Sequence, residues 1–121
     1  MRNAEPREAD FYRTNVLRTC PNIDKDDVST KLGLGALGLA GETGEVVDII
    51  KKVLHHGMPL EEVREKIVKE LGDVRWYLEY LAMAMNVTME EIEAVNVAKL
   101  RARYPDGFNF EAAAKHRASK A

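Results

Sequence analysis

At 121 residues and 13.6 kDa, the chain is long enough for one domain with its own core and short enough to make a second unnecessary. Apolar residues make up 45% and charged residues 31%, an ordinary globular balance, and a net charge of −2 excludes the basic footprint of a nucleic-acid binder. Cys20 is the single cysteine, which excludes a disulfide framework or a thiolate zinc site built within one chain.

The first residues, MRNAEPREADF, lack the apolar segment of a signal peptide. The longest uncharged run, Leu32 to Gly41, is about half the length of a membrane span, so a cytoplasmic protein without a membrane partner is expected. Turn signals fall at Cys20-Pro21-Asn22, His56-Gly57-Met58-Pro59, Asn86-Val87-Thr88 and Tyr104-Pro105-Asp106-Gly107. The segments between them are rich in Ala, Leu, Glu and Lys and predict helices over 8–19, 27–55, 60–85, 88–102 and 110–118. Asp26 or Asp27 is placed to cap the second, and Thr88 with Glu91 has the capping-box pattern for the fourth. The fold class is all-α, a helical bundle.

The second predicted helix contains GLGALGLAGETGE, five glycines in thirteen positions. Leu32, Ala36, Leu39, Thr43, Val46, Val47, Ile50 and Leu54 nevertheless keep within about 60° of one line on a helix, a register that a phosphate-cradling loop would not hold. The Gly-Lys-Ser/Thr ending of a P-loop is missing as well. Gly35 and Gly38 share a flank with Glu42 and Glu45, where they would let a backbone or ligand come close, while Gly33, Gly41 and Gly44 suit tight helix contact. On the third helix, Val63, Ile67, Leu71, Val74, Leu78, Leu81 and Met85 form the expected core stripe. Trp76 falls opposite it, which fits a helix buried in a thick bundle, a subunit interface or a substrate pocket.

Glu42 and Glu45 are spaced three apart, as are Glu70 and Asp73 one hairpin later, so each pair shares a helix face. The first pair sits about 80–140° to one side of its apolar stripe and the second about 60–120° to the same side. The short connection His56 to Leu60 implies antiparallel packing, which brings four carboxylates to one rim of the helix pair. They are either solvated helix faces or a site for a hard divalent cation, Mg²⁺ or Mn²⁺ rather than zinc. Glu62/Lys66 and Glu65/Lys69 are ordinary i, i+4 surface pairs. A di-iron carboxylate site needs Glu-x-x-His, which neither pair has, and His55 and His56 point apart from a helix end. Asn96, Lys99 and Arg103 recur at helical spacing, suited to a polyphosphate or to the dipole of a helix C-terminus, and Lys51 and Lys52 add charge near the end of the second helix.

Three segments in order, GLAGETGEVVDIIKK, KELGDVRWYLEYLA and NVAKLRARYPDGF, resemble the MazG-like all-α nucleoside triphosphate pyrophosphohydrolases over about Leu32 to Phe108. Their Glu-x-x-Glu, spacer, Glu-x-x-Asp signature corresponds here to Glu42/Glu45 and Glu70/Asp73. The resemblance implies a four-helix-type core assembled as a homodimer or homotetramer. It also implies Mg²⁺-dependent hydrolysis of a nucleoside triphosphate between its α- and β-phosphates. Glu42, Glu45, Glu70 and Asp73 would be the metal ligands, with one of the first pair, or another nearby acid, orienting or deprotonating the water. Lys52, Asn96, Lys99, Arg103 and Tyr104 would lie near the triphosphate and Trp76 near the base. On this reading residues 1–26 are an N-terminal arm with a short helix, 27–108 the catalytic helical domain and 109–121 a tail, helical or partly disordered. The competing expectation is a non-enzymatic oligomeric helical interaction protein with a structural or vestigial metal site.

Overall fold

The structure, a computed structural model, describes residues 8–20 and 22–120. The start of the expected N-terminal arm, Pro21 of its turn and the final Ala121 lie outside the described residues. Five helices carry the fold: α1 (Glu8–Leu17), α2 (Val28–His55), α3 (Leu60–Ala84), α4 (Met89–Arg103) and α5 (Phe110–Lys120). No strand occurs among the described residues, so the all-α class read from the sequence holds. The chain divides into two compact units, Met1–Val87 and Thr88–Ala121.

Helix ends fall where local chemistry puts them. The Asp27 carboxylate accepts the Thr30 N–H at 2.7 Å, and that bond holds its pKa below the usual carboxylate value. Thr88 Oγ1 accepts the Glu91 N–H at 3.1 Å, and Asn109 Oδ1 accepts the Ala112 N–H at 2.7 Å, a cap that the sequence reading did not name. Gly57 and Gly107 take positive φ, 68° and 90°, inside predicted turns, and Asn86 does so at 57°.

In the first unit α2 and α3 pack antiparallel in a tight register. A Cβ on Gly35 would meet Leu81 and Tyr80, and one on Gly38 would run into the Tyr77 ring. The two glycines that share a flank with Glu42 therefore make room for side chains of α3. Gly33, Gly41 and Gly44 face open space within the chain, so intrachain helix contact does not explain them. Tyr77 in turn meets Trp76 edge-on, with ring centroids 4.9 Å apart.

The other side of α3 is covered by α1. Val16, Cys20 and Tyr80 form the buried cluster, with Tyr12, Ile23, Trp76 and Met83 packed against it. Trp76 stacks on Tyr80 at 5.4 Å and donates its Nε1–H to Thr19 Oγ1 at 2.8 Å. Glu79, only 2% exposed, is the one buried charge among the described residues. Arg13 Nε donates to its Oε2 at 2.6 Å and Arg75 Nη1 to its Oε1 at 2.9 Å, while Arg13 Nη2 also donates to the Val87 carbonyl. Two guanidiniums hydrogen-bonded to both oxygens offset the cost of taking this carboxylate out of water.

The aliphatic stripes are less buried than their periodicity predicts. Of the stripe predicted on the third helix only Val63 is fully buried, while Leu71 is 50% and Met85 59% exposed. On α2, Val47 and Leu54 are 59% and 70% exposed. The best-buried surface of α3 is instead the Glu79–Tyr80 side, because α1 closes over it. Trp76, opposite the stripe, thus has an intrachain partner. In the second unit α4 has no buried residue, α5 buries Ala113, and the Phe108 ring lies 5.4 Å from Tyr104 and 5.3 Å from Phe110.

The glycine contacts predict opposite outcomes for the same substitution. Gly33→Ala, into open space, should stabilise by about 0.5–1 kcal/mol through helix propensity. Gly38→Ala must push Tyr77 off Trp76 and should cost about 1–3 kcal/mol. Thermal melts of the two variants beside the parent protein check the signs.

Candidate active site

Glu42 sits on α2 one turn beyond Gly38, and Glu70 and Asp73 sit on the facing stretch of α3. Each of the three offers an oxygen, and these oxygens all lie within 4.8 Å of one another. Two oxygens on opposite sides of one hard cation are about 4.2 Å apart for Mg²⁺ and up to about 5 Å for Ca²⁺. The trio therefore suits a single divalent ion, and its all-oxygen donor set suits a hard one. Glu42 and Glu70 are half-buried and Asp73 is exposed, so one side of the group stays open.

Crowding leaves its mark on Glu42. Partial burial raises its pKa above 4.5, followed by the hydrogen bond it shares with Glu70 and by the charges of Asp73, Glu70 and Glu45. No base answers this cluster among the ion pairs of the described residues. Glu45, the fourth acid of the pattern, is exposed and stands outside the three-oxygen group, close enough for its charge to act on Glu42.

Asp48, one further turn along α2, went unnoticed in the sequence. It pairs with Lys52 at 3.0 Å and Lys51 at 3.2 Å, and these bonds lower its pKa. The signal was there in the i, i+3 and i, i+4 spacing of acid and bases. Lys52, expected near phosphates, is thus held by an exposed ion pair that is cheap to break.

Beside the carboxylates a cavity of about 450 Å³ opens between α1, α2 and α3. Glu42 and Asp73 line it, Trp76 and Tyr77 provide aromatic surface, and Tyr12, Asn15, Val16 and Thr19 of the α1 side complete it. Trp76 therefore lines the same cavity as two of the acids. The α1 residues were missed, because nothing in the periodicity of a short polar helix says what it will cover. Asn15 donates Nδ2–H to the Phe11 carbonyl at 2.9 Å, which orients its amide. Burial pushes the Tyr12 phenol above its usual pKa, and the Arg75 guanidinium lies 4.5 Å from its ring centroid. Asn96, Lys99, Arg103 and Tyr104 belong to the second unit, where Lys99 and Arg103 line a separate groove with α5.

The site defines an all-α protein with an oxygen-only acidic cluster able to hold a divalent cation, set beside an aromatic-walled cavity. Residues 34–108 match the MazG nucleotide pyrophosphohydrolase domain, and the chain belongs to that family. It is also 37% identical over 102 residues to the Gene 37 protein of Mycobacterium phage L5, an alignment covering 81% of this chain and 90% of that one. No solved structure gives a significant match. Among the described residues no helix is long and apolar enough to cross a membrane.

The sign of the pH effect follows from the direction of the Glu42 shift. Its folded pKa lies above the unfolded value, so its contribution to stability is present below that value and lost as pH rises through the folded pKa. A cation competes with the proton for the same oxygens. Melting temperature should therefore rise on adding Mn²⁺ or Mg²⁺ at pH 7.5, and this gain should shrink towards pH 5. Glu42→Gln should raise the metal-free Tm by about 2 °C and lose most of the metal-dependent gain. A differential scanning fluorimetry series over pH with EDTA and each metal checks both.

Proposed function

We propose that this protein hydrolyses nucleoside triphosphates, ribo or deoxy, between the α- and β-phosphates, with Mg²⁺ or Mn²⁺, as a nucleotide-pool housecleaning enzyme of the cytoplasm. Membership of the MazG nucleotide pyrophosphohydrolase domain family supports the reaction class. The single observation that carries the site is the convergence of Glu42, Glu70 and Asp73 on one point beside the cavity.

Glu42, Glu70 and Asp73 would hold the metal, with Glu45 beside them. A bound divalent cation there supplies positive charge to the phosphates and lowers the pKa of coordinated water. Water adds at a phosphorus of the α–β anhydride as the bridging P–O bond breaks, giving nucleoside monophosphate and pyrophosphate. Glu45, outside the three-oxygen group on the same helix, is the carboxylate left to orient this water and take its proton. Lys52, released from Asp48, and Asn96, Lys99, Arg103 and Tyr104 bind the triphosphate, an anion whose charge only cations and donors can balance. Trp76 and Tyr77 offer the base an aromatic wall, and the oriented amide of Asn15 offers its edge a polar contact.

The active form is proposed to be a homodimer or homotetramer. Its support is the apolar surface that one chain leaves open: Leu37 at 78%, Leu54 at 70% and Val68 at 62% exposure on α2 and α3. Isolated chains seldom leave so many large apolar side chains in water. Light scattering of the purified protein at micromolar concentration should give two or four times the 13.6 kDa chain mass; a strict monomer would remove the assembly from the proposal.

Chromatography of products from a panel of NTPs and dNTPs, with Mg²⁺ and with EDTA, tests the reaction. Monophosphate and pyrophosphate should appear only with metal. Glu70→Gln and Asp73→Asn should each lower kcat by on the order of 100-fold or more while the protein stays folded. Release of orthophosphate and diphosphate would place the cut at the wrong bond. An absence of any product from folded protein would favour the non-enzymatic helical interaction protein.

A further inference from the structure

In the second unit, α4 and α5 enclose a groove of about 590 Å³. It is lined by the small side chains Ala102 and Ala112 and by Lys99 and Arg103 of α4 with Lys115 and His116 of α5. We propose that this groove binds a polyphosphate anion, gripped from both helices at once.

Charge is the first argument. Three fixed cations and an imidazole line one concavity, and among the described residues no carboxylate stands in its wall. The ion pairs of the described residues involve neither Lys99, Arg103 nor Lys115. Bringing like charges together is unfavourable unless an anion joins them, and a single phosphate cannot balance three. Shape is the second argument. A solvated basic face is convex, whereas here Ala113 is buried and His116 half-buried, so α5 is docked and the cations look into a hollow. Partial burial first, then Arg103, Lys120 and Lys99, hold the His116 pKa below its usual value, so these cations face the imidazole from both helices. Ser119 spends its hydroxyl proton on the His116 carbonyl at 2.8 Å and is not counted among the donors. The Arg103 guanidinium carbon lies 5.7 Å from the Tyr104 ring centroid, an aromatic contact that leaves its N–H fork for an anion.

The inference deepens the reading of Lys99 and Arg103 as phosphate ligands, and it gives α5 a role. The family match ends at residue 108, before α5 begins at Phe110. Four of the seven residues lining the groove therefore come from a helix outside the matched segment. The same chemistry has two sources, the triphosphate tail of a bound nucleotide and free pyrophosphate.

The experiment is calorimetric titration of the full chain with inorganic pyrophosphate in EDTA, where the acidic cluster cannot hold a metal. The parent protein should bind. Lys115→Ala should weaken binding roughly tenfold, the loss of about one charge-assisted contact. Lys115→Arg should restore it. Ala112→Leu, which fills the groove without touching a cation, should weaken it to a similar degree, and Glu42→Gln should leave it unchanged. Circular dichroism shows that each variant is folded. Displacement of pyrophosphate by a nucleotide with a non-hydrolysable α,β link identifies the substrate tail as occupant, and persistence identifies free pyrophosphate; both uphold the groove. Equal affinity in the parent, Lys115→Ala and Ala112→Leu overturns it, as does failure of the parent to bind pyrophosphate while nucleotide hydrolysis proceeds. Binding without any hydrolysis would overturn the proposed reaction and leave the groove standing.

Discussion

The close approach of α2 to α3 at Gly35 and Gly38 sets the position of nearly everything else in the first unit. Leu81 and the Tyr77 ring occupy the space that side chains on those two positions would fill, and this pins the antiparallel register of the pair. One turn beyond Gly38 on α2 stands Glu42, and one turn before Tyr77 on α3 stands Asp73, with Glu70 three residues earlier. A different register would separate these acids. The glycines weaken the helix they sit in, by about 1 kcal/mol each relative to Ala, and at Gly35 and Gly38 the return is a fixed distance between carboxylates.

The first unit answers the problem of a desolvated carboxylate in two ways. Glu79 is fully enclosed and meets Arg13 and Arg75 at hydrogen-bond distance, so its charge is balanced from within the chain and α1 is tied to α3. Glu42 is half-buried among Glu70, Asp73 and Glu45, takes part in none of the ion pairs of the described residues, and has a raised pKa. The first arrangement is self-sufficient. The second has no such balance among the described residues, and a bound cation would supply it.

Much of this was legible in the sequence because it depends on local chemistry. The helix starts at Asp27 and Thr88 follow from side-chain oxygens three residues before an unpaired N–H, and the breaks at Gly57, Asn86 and Gly107 follow from their tolerance of positive φ. The pairing of Glu42 with Glu70 and Asp73 was legible because helical period and a short connection together specify which faces meet. Burial was not. Leu71, Val47 and Met85 keep a core period yet stay exposed in one chain, since periodicity reports that a face is apolar and not what covers it.

The sequence by itself determined the all-α class, the five helices, the acidic pairs and the resemblance that the family match bears out. Each rests on spacing along the chain, which a helix converts directly into direction. Only the tertiary structure decided that α1 lies over Trp76 and Tyr80, that Tyr12, Asn15 and Thr19 wall the cavity beside Glu42 and Asp73, and that α5 sets Lys115 and His116 across a groove from Lys99 and Arg103. These are contacts between residues far apart in the chain. They are settled by which surfaces exclude water together, and no local period encodes that.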